Sequence, residues 1–391
     1  MLNRLAELVK REYKLAVGLM SGTSLDGIDA ALVEIKGVGS QTDVRLVEFE
    51  SIPYTVEERE QLIELCNPSK STVEKICKMN IVLGDRFGEA ALAVIRKAGL
   101  APKDVSFVSS HGQTIYHWPE ERATLQIGEL ANIAAKTGIL TVGDFRPSDM
   151  AYQGQGAPLV PFVDALLFSS TENRILLNIG GISNLAVVPA HSSTIKEIKA
   201  FDVGPGNVLI DGAVRRLTGN EQTFDQGGKL AEKGNIHYDL LMTLIKEDEF
   251  LPIKPPKSTG RELYTEERLA RILTKSQDLN LPMEDIVATI TAYTVEMITQ
   301  SLELYVHSDH DIDELIISGG GIHNKAIMDG LQKALPYKVS KMDEVSFNGD
   351  AKEAIAFTVL GNQFLHGEAN NLPSATGATR NVLMGKLVLP S

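Results

Sequence analysis

From Leu15 the apolar positions fall into short runs broken by glycine: LAVGLM, then SGTSLDG, then IDAALVEIK, which predicts a strand, a turn and a second strand. VRLVEFESIPY predicts a third strand, and Thr55 then opens a helix carrying Glu57, Glu58 and Glu60 in its first turns. Between about Ser71 and Leu100, residues such as Val73, Ile76, Cys77, Ile81 and Leu83 keep a helical spacing. VSFVSSHG predicts a buried strand, LQIG a short one, GELANIAAKTG a helix ending at Gly138, and ILTVGDF another strand. Ahead of all this, MLNRLAELVKREYK interleaves Leu2, Leu5, Leu8 and Val9 with basic residues, as a short amphipathic helix does.

The stretch Arg146 to Pro161, RPSDMAYQGQGAPLVP, has no period and is the best candidate for a connection between two lobes. The same grammar then restarts. RILLNIGG and ISNLAVVPA predict strand, glycine turn, strand, and EIKAFDVGPGN leads through Gly-Pro-Gly into the helix VLIDGAVRRLTG. Helices are expected around Leu240–Ile245, Glu266–Leu273 and Met283–Tyr305. ELIISGGG predicts a strand opening onto NKAIMDGLQKAL, and KEAIAFTVLGNQFLHG is the last strong helix. The likeness of AVGLMSGTSLDGIDAALV to ILLNIGGISNLAVV points to a duplicated α/β domain. The expected division is 1–147 plus about 363–391 for the first lobe and 148–362 for the second.

Composition narrows the function classes. A chain of 391 residues with 43% hydrophobic and 23% charged residues is ordinary globular protein, long enough for two domains. The net charge of −13, with no long basic run, argues against a nucleic-acid partner. A compact anionic substrate stays open. Two cysteines, Cys66 and Cys77, make neither a disulfide framework nor a zinc site, so a reducing compartment is expected. The N-terminal segment lacks the pattern of a secretory signal, and no stretch of 18 apolar residues occurs, so a cytoplasmic protein without a membrane span is expected.

Candidate chemistry gathers at the turns. In Gly22-Thr23-Ser24-Leu25-Asp26-Gly27, glycines let backbone N–H groups approach a phosphate, Thr23 and Ser24 add hydroxyls, and Asp26 is placed to hold Mg²⁺. A tight structural hairpin is the plain alternative. Neither a Walker loop nor a G-x-G-x-x-G dinucleotide fingerprint is present. Asp202 ends a strand just before Gly204-Pro205-Gly206-Asn207, where α/β sheets place ligands, with Asn207 positioned to cap the following helix and Asp202 to act as a general base. Gly180 and Gly181 form the second hairpin turn, set for the β- and γ-phosphates. Gly319, Gly320 and Gly321 suit a flat adenine or ribose. His111, Gln113 and Thr114 converge at a strand end, and Glu353 begins the last helix, both fitting recognition of sugar hydroxyls.

Together with Gly143-Asp144-Phe145-Arg146, Gln155-Gly156-Ala157-Pro158-Leu159-Val160-Pro161 and Pro256-Lys257-Ser258-Thr259-Gly260-Arg261-Glu262, these blocks resemble, in order and along nearly the whole chain, the anhydro-N-acetylmuramic acid kinases. The resemblance implies the actin/hexokinase/Hsp70-type ATPase fold, α/β with two ribonuclease-H-like lobes and ATP in an interlobe cleft. It implies a homodimer that takes 1,6-anhydro-N-acetylmuramic acid, ATP and water to N-acetylmuramate 6-phosphate and ADP in peptidoglycan recycling. It assigns ATP-phosphate binding to Gly22 through Asp29, including Ile28, and the general base to Asp202. It also suggests sugar contacts at His111, Gln113, Arg146 and Glu353, with Arg146 suited to the lactyl carboxylate. Val203 departs from the family's expected Thr, a change with consequences for hydrogen bonding beside the base. Two rival readings keep the fold: a kinase of another sugar or small hydroxy compound, and an ATP-binding regulator of the actin or Hsp70 kind.

Overall fold

The computed structural model describes residues 2–22, 25–190, 198–259, 263–309, 311–345 and 349–390. Thr23, Ser24, Gly260, Arg261 and Glu262 lie outside the described residues. The chain divides into two compact units, Met1–Leu167 with Ala351–Ser391, and Phe168–Asp350.

In the first unit β1 (Tyr13–Ser21) and β2 (Gly27–Lys36) form the expected antiparallel hairpin, and β3 (Asp43–Pro53) adds antiparallel to β2. β4 (Phe107–Trp118) lies parallel to β1, β5 (Ala123–Ile127) folds back on the far half of β4, and β6 (Thr141–Gly143) runs parallel to its near half. Successive residues of β1 face opposite sides, and both sides are covered. Val17 and Leu19 join a core with Leu83, Phe87, Ala90 and Val94 of the helix Val73–Lys97. On the other side Gly18 meets the helix Lys352–His366, where a Cβ on Gly18 would overlap the Ala354 carbonyl oxygen. A glycine at that position lets helix and strand touch backbone to backbone. The helix Val56–Leu65 starts as predicted, with Thr55 and Glu58 forming a reciprocal capping box.

The second unit repeats the plan. β7 (Arg174–Ile179), β8 (Ile182–Val188) and β9 (Lys199–Pro205) are antiparallel neighbours, while β10 (Glu314–Ser318) runs parallel to β7 and β11 (Lys338–Lys341) parallel to β10. The helix Met283–Tyr305 has the predicted bounds and buries Ile290, Tyr293, Met297 and Ile298 against this sheet. The order β3-β2-β1-β4-β6 in one sheet matches β9-β8-β7-β10-β11 in the other, with the same pattern of antiparallel and parallel pairs. Each unit is therefore ribonuclease-H-like, and the fold is the duplicated α/β fold of actin/hexokinase/Hsp70-type ATPases. A short C-terminal strand that the sequence pattern does not announce, β12 (Lys386–Val388), closes onto β6.

Two features differ from the sequence reading. The aperiodic stretch after Arg146 is not an open connection: it contains the helices Arg146–Ala151 and Val160–Phe168. Its loop is tied down through buried Asp149, which accepts hydrogen bonds from Gly156 N (2.9 Å), Asn371 Nδ2 (2.8 Å) and Thr376 Oγ1 (2.8 Å). The helix Lys352–His366, split between lobes in the expected division, packs entirely with the first unit, and its first turn is anchored by the buried Lys352–Asp164 ion pair at 2.9 Å.

Candidate functional site

The first hairpin turn is braced from below. Ser21 Oγ lies 2.6 Å from Gln113 Oε1, 2.7 Å from Gly27 O and 2.9 Å from Tyr54 Oη. Gln113 Nε2 donates to Gly22 O at 3.3 Å and to Thr114 O at 3.1 Å. Gln113 is fully buried with every polar atom of its side chain engaged by protein, so it shapes the turn instead of reaching a sugar. Leu25 and Ile28 send their side chains into the core, which leaves only their backbone to face a phosphate. Leu25 holds φ at +55°, a left-handed value costly for a branched side chain, and Arg59 Nε secures its carbonyl at 3.1 Å. Asp26 is exposed at the turn and Asp29 is half-buried in β2.

In the same unit His111, Arg146 and Glu353 come together. Arg146 Nε donates to His111 Nε2 at 2.9 Å, and Arg146 Nη1 to Gly156 O at 2.8 Å. With Nε2 an acceptor, the proton of the neutral ring sits on Nδ1 and is donated to Gly112 O at 2.9 Å. Burial, and secondly the Arg146 charge, hold the imidazole pKa well below its ordinary value, in keeping with that neutral form. Both ring nitrogens are thereby occupied, and His111 orients the Arg146 guanidinium. Arg146 is half-buried, not a solvent-facing linker residue. Desolvation lowers its pKa to about 10 against the opposing pull of Glu353 and Asp149, so the guanidinium stays charged at neutral pH. Its Nη2 has no hydrogen-bond partner among the described residues. Glu353, in the first turn of its helix, likewise has no hydrogen-bond partner among them. Desolvation lifts its carboxyl and Asp29 pushes the same way, against Lys352 and Arg146, while the side chain's contact with solvent limits the lift. Of the four expected sugar contacts, two therefore present unmatched polar groups and two are braces.

In the second unit three glycine turns converge. Gly206 N, Asn207 N and Val208 N donate to the carbonyls of Gly181, Gly180 and Gly181 at 2.9, 2.8 and 3.1 Å, locking the β7–β8 turn to the start of the helix Val208–Leu217. Asn207 does not cap that helix as expected: its Nδ2 donates to Ile179 O at 3.3 Å. Glycine is required by packing at Gly206, Gly319 and Gly321, where a Cβ would strike Gly180 O, Asn178 Oδ1 and the Ile179 side chain. Gly204 adopts φ +139° under Met297. At Gly180, Gly181 and Gly320 a Cβ would meet nothing closer than 3.5, 3.9 and 3.8 Å. The backbone is bare there although packing leaves room for a side chain, which is what close approach of a phosphate or ribose asks for.

Asp202 lies in β9 next to these turns. Its Oδ2 accepts from Ser258 Oγ at 2.9 Å and from Thr259 N at 2.8 Å, and its own N–H donates to Lys257 O at 3.1 Å. Val203 points the other way, fully buried in the core of the unit, so its methyl in place of a hydroxyl leaves the Asp202 carboxylate untouched.

Comparison with known proteins decides the family. The family model for anhydro-N-acetylmuramic acid kinase matches residues 14–390. The chain belongs to the anhydro-N-acetylmuramic acid kinase family. A family member from Caldanaerobacter subterraneus subsp. tengcongensis is 46% identical, covering 99% of this chain and 100% of its own. One from Francisella tularensis subsp. novicida is 40% identical over 96% and 99%. Among solved structures the Acidaminococcus fermentans (R)-2-hydroxyglutaryl-CoA dehydratase component A shows a looser likeness, with TM-score 0.46 and 10% identity over 91% of this chain and 100% of that one.

For this family member, sequence reasoning assigned no role to Lys257, Ser258, Thr259 or Asp149. The Pro-Lys-Ser-Thr-Gly-Arg-Glu block was visible as a family motif, but nothing in its spacing announces that it lies against Asp202, more than fifty positions earlier. Among the described residues no group of three or more His, Cys, Asp or Glu side chains is arranged to hold a metal. The exposed carboxylate of Asp26 would suit a magnesium ion held mainly by nucleotide phosphates and water.

Proposed function

We propose that the protein is an ATP-dependent kinase that hydrolytically opens 1,6-anhydro-N-acetylmuramic acid and phosphorylates its O6, giving N-acetylmuramate 6-phosphate and ADP in peptidoglycan recycling. The observation that carries this reading is the Asp202 carboxylate, fixed at Oδ2 by the Ser258 hydroxyl and the Thr259 N–H beside glycine turns open to a phosphate. Family membership supplies the substrate. In that sugar O6 is tied to C1, so no free 6-hydroxyl exists to attack ATP. Asp202 takes a proton from water as the water oxygen bonds to C1; the C1–O6 bond breaks, O6 bonds to the γ-phosphorus, and ADP leaves.

Arg146 and Glu353 serve the sugar, the guanidinium pairing with the lactyl carboxylate and Glu353 accepting from a hydroxyl. The turn Gly22 to Asp29 together with Gly180, Gly181, Gly204, Gly206, Asn207 and Gly319 to Gly321 serves ATP. Asp26 would hold the Mg²⁺ that accompanies the nucleotide, and the ion would supply charge neutralisation at the phosphates. The protein acts as a cytoplasmic homodimer; the free thiols Cys66 and Cys77 agree with a reducing compartment.

ADP release with Mg-ATP, measured with and without the anhydro sugar, tests the reading. Stimulation by the sugar that drops at least about a thousandfold in Asp202→Asn is expected for loss of a base acting on both bond changes. Activity retained in that variant, or equal turnover without sugar, contradicts it.

A further inference from the structure

The Pro-Lys-Ser-Thr block contains a buried ammonium that the reaction as written does not use. Lys257 is 7% exposed, and its Nζ donates to the carbonyls of Phe250 and Leu251, each at 3.2 Å. The same ammonium sits over the rings of Phe250 and Tyr305, 4.5 and 4.7 Å from their centroids. Tyr305 Oη also donates to Leu251 O at 2.8 Å. A buried ammonium needs such partners to remain charged.

The turn that receives it is itself pinned. Asp248 is buried, and its Oδ1 accepts from Phe250 N and Leu251 N, both at 2.9 Å. Its Oδ2 accepts from Arg268 Nη2 at 2.7 Å, from Tyr264 Oη at 3.3 Å and from Tyr293 Oη. Arg268 Nη2 also donates to Tyr293 Oη at 2.8 Å. Every donor to Asp248 is therefore met, and the two carbonyls that hold Lys257 are set in place from behind.

From Lys257 the path to the candidate base is short. The Lys257 carbonyl accepts from Asp202 N, and the next hydroxyl and the N–H after it hold Asp202 Oδ2. Resting on the reading of Asp202 as the base, we propose that Lys257 is a positioning residue, its ammonium clamping residues 257–259 so that they aim the Asp202 carboxylate and keep it ionised. Among the described residues the titratable groups with an electrostatic influence on this region are Lys257 and Tyr264 toward Asp202, with Asp248, Arg268 and Tyr293 behind them. Desolvation lowers the Lys257 pKa to about 8, with Asp248 and Asp202 pulling it back up, so the ammonium is charged at neutral pH. Hydrogen bonds and a nearby cation both favour an ionised carboxylate, so loosening the clamp raises the pKa of Asp202.

Lys257→Met keeps the length and apolar bulk of the side chain and removes the charge. The experiment measures kcat, KM for both substrates and the pH profile of kcat/KM in wild type, Lys257→Met, Lys257→Arg and Asp202→Asn, with thermal melting of each. The expected result for Lys257→Met is a kcat lower by about tenfold or more, KM for ATP within about twofold, and an acid limb moved to higher pH by about half a unit or more. Lys257→Arg restores part of both. Wild-type kcat and acid limb in Lys257→Met, with Asp202→Asn inactive, overturn the positioning role and leave the base intact. Activity that falls only in step with the folded fraction, with the acid limb unmoved, overturns it as well. Full activity in Asp202→Asn overturns the base and this inference with it. Should Lys257→Met not fold, Lys257→Arg and Ser258→Ala carry the readout: an unmoved acid limb in both overturns the proposal, and an upward shift in both supports it.

Discussion

His111 shows how a single proton organises one part of the site. Because Nε2 accepts from Arg146, the ring stays neutral when the folded protein is acidified, while the same histidine in the unfolded chain takes up a proton below about pH 6.5. The unfolded state then binds more protons, so the contribution of His111 to stability is lost progressively as pH falls through that range and regained as it rises. His111→Gln keeps an acceptor for Arg146 but cannot titrate. The melting temperature of that variant is expected to fall less steeply than wild type between about pH 6.5 and 5; parallel curves would contradict the assigned proton. At this scale the sequence showed which residue types mattered but not which atoms were left over. His111 and Gln113 looked like sugar contacts because both carry polar groups at a strand end. Their partners, Arg146, Ser21 and Gly22, are distant in sequence or contribute backbone atoms, and only folding reveals that those groups are taken.

Strands and turns were the most legible elements, because apolar runs punctuated by glycine carry a period of two and an obvious stop. β1, β2, β7 and β8 follow their predicted runs. β4 was read as ending near Gly112, yet it continues to Trp118 through a residue with φ +75°, since pairing with β5 compensates for the break. β12 and β11 are too short to carry a period, and they form because a neighbouring strand offers an edge. The glycines of one turn separate into two kinds that the sequence does not distinguish. Gly206 is required by packing, whereas Gly180 is bare with room above it. Gly206→Ala is expected to destabilise the protein by ~2–3 kcal/mol through overpacking against the Gly180 carbonyl. Gly180→Ala is expected to leave stability within ~1 kcal/mol and raise KM for ATP about tenfold. Denaturant melts and steady-state kinetics on the pair check this, and the reverse pattern would remove the phosphate role of the second turn.

For the molecule as a whole, the duplication was readable from two similar strand-turn-strand segments, and the matching strand order of the two sheets bears it out. The limits of the units were not readable. The stretch after Arg146 looks like a connection because it lacks a period, but its order comes from Asp149, Asn371 and Thr376, contacts spanning more than two hundred positions. Among the described residues no helix is long and apolar enough to cross a membrane. The matched family spans both units. The proposed chemistry takes Asp202 as the base. Its central claim is that water attacks C1 while O6 leaves onto the γ-phosphate. The most direct measurement runs the reaction in H₂¹⁸O and locates the label by ¹³C and ³¹P NMR before the anomeric oxygen can exchange. The account predicts ¹⁸O on C1 and none in the phosphoryl group of the product. Label in the phosphoryl group, or an unlabelled C1, would contradict it.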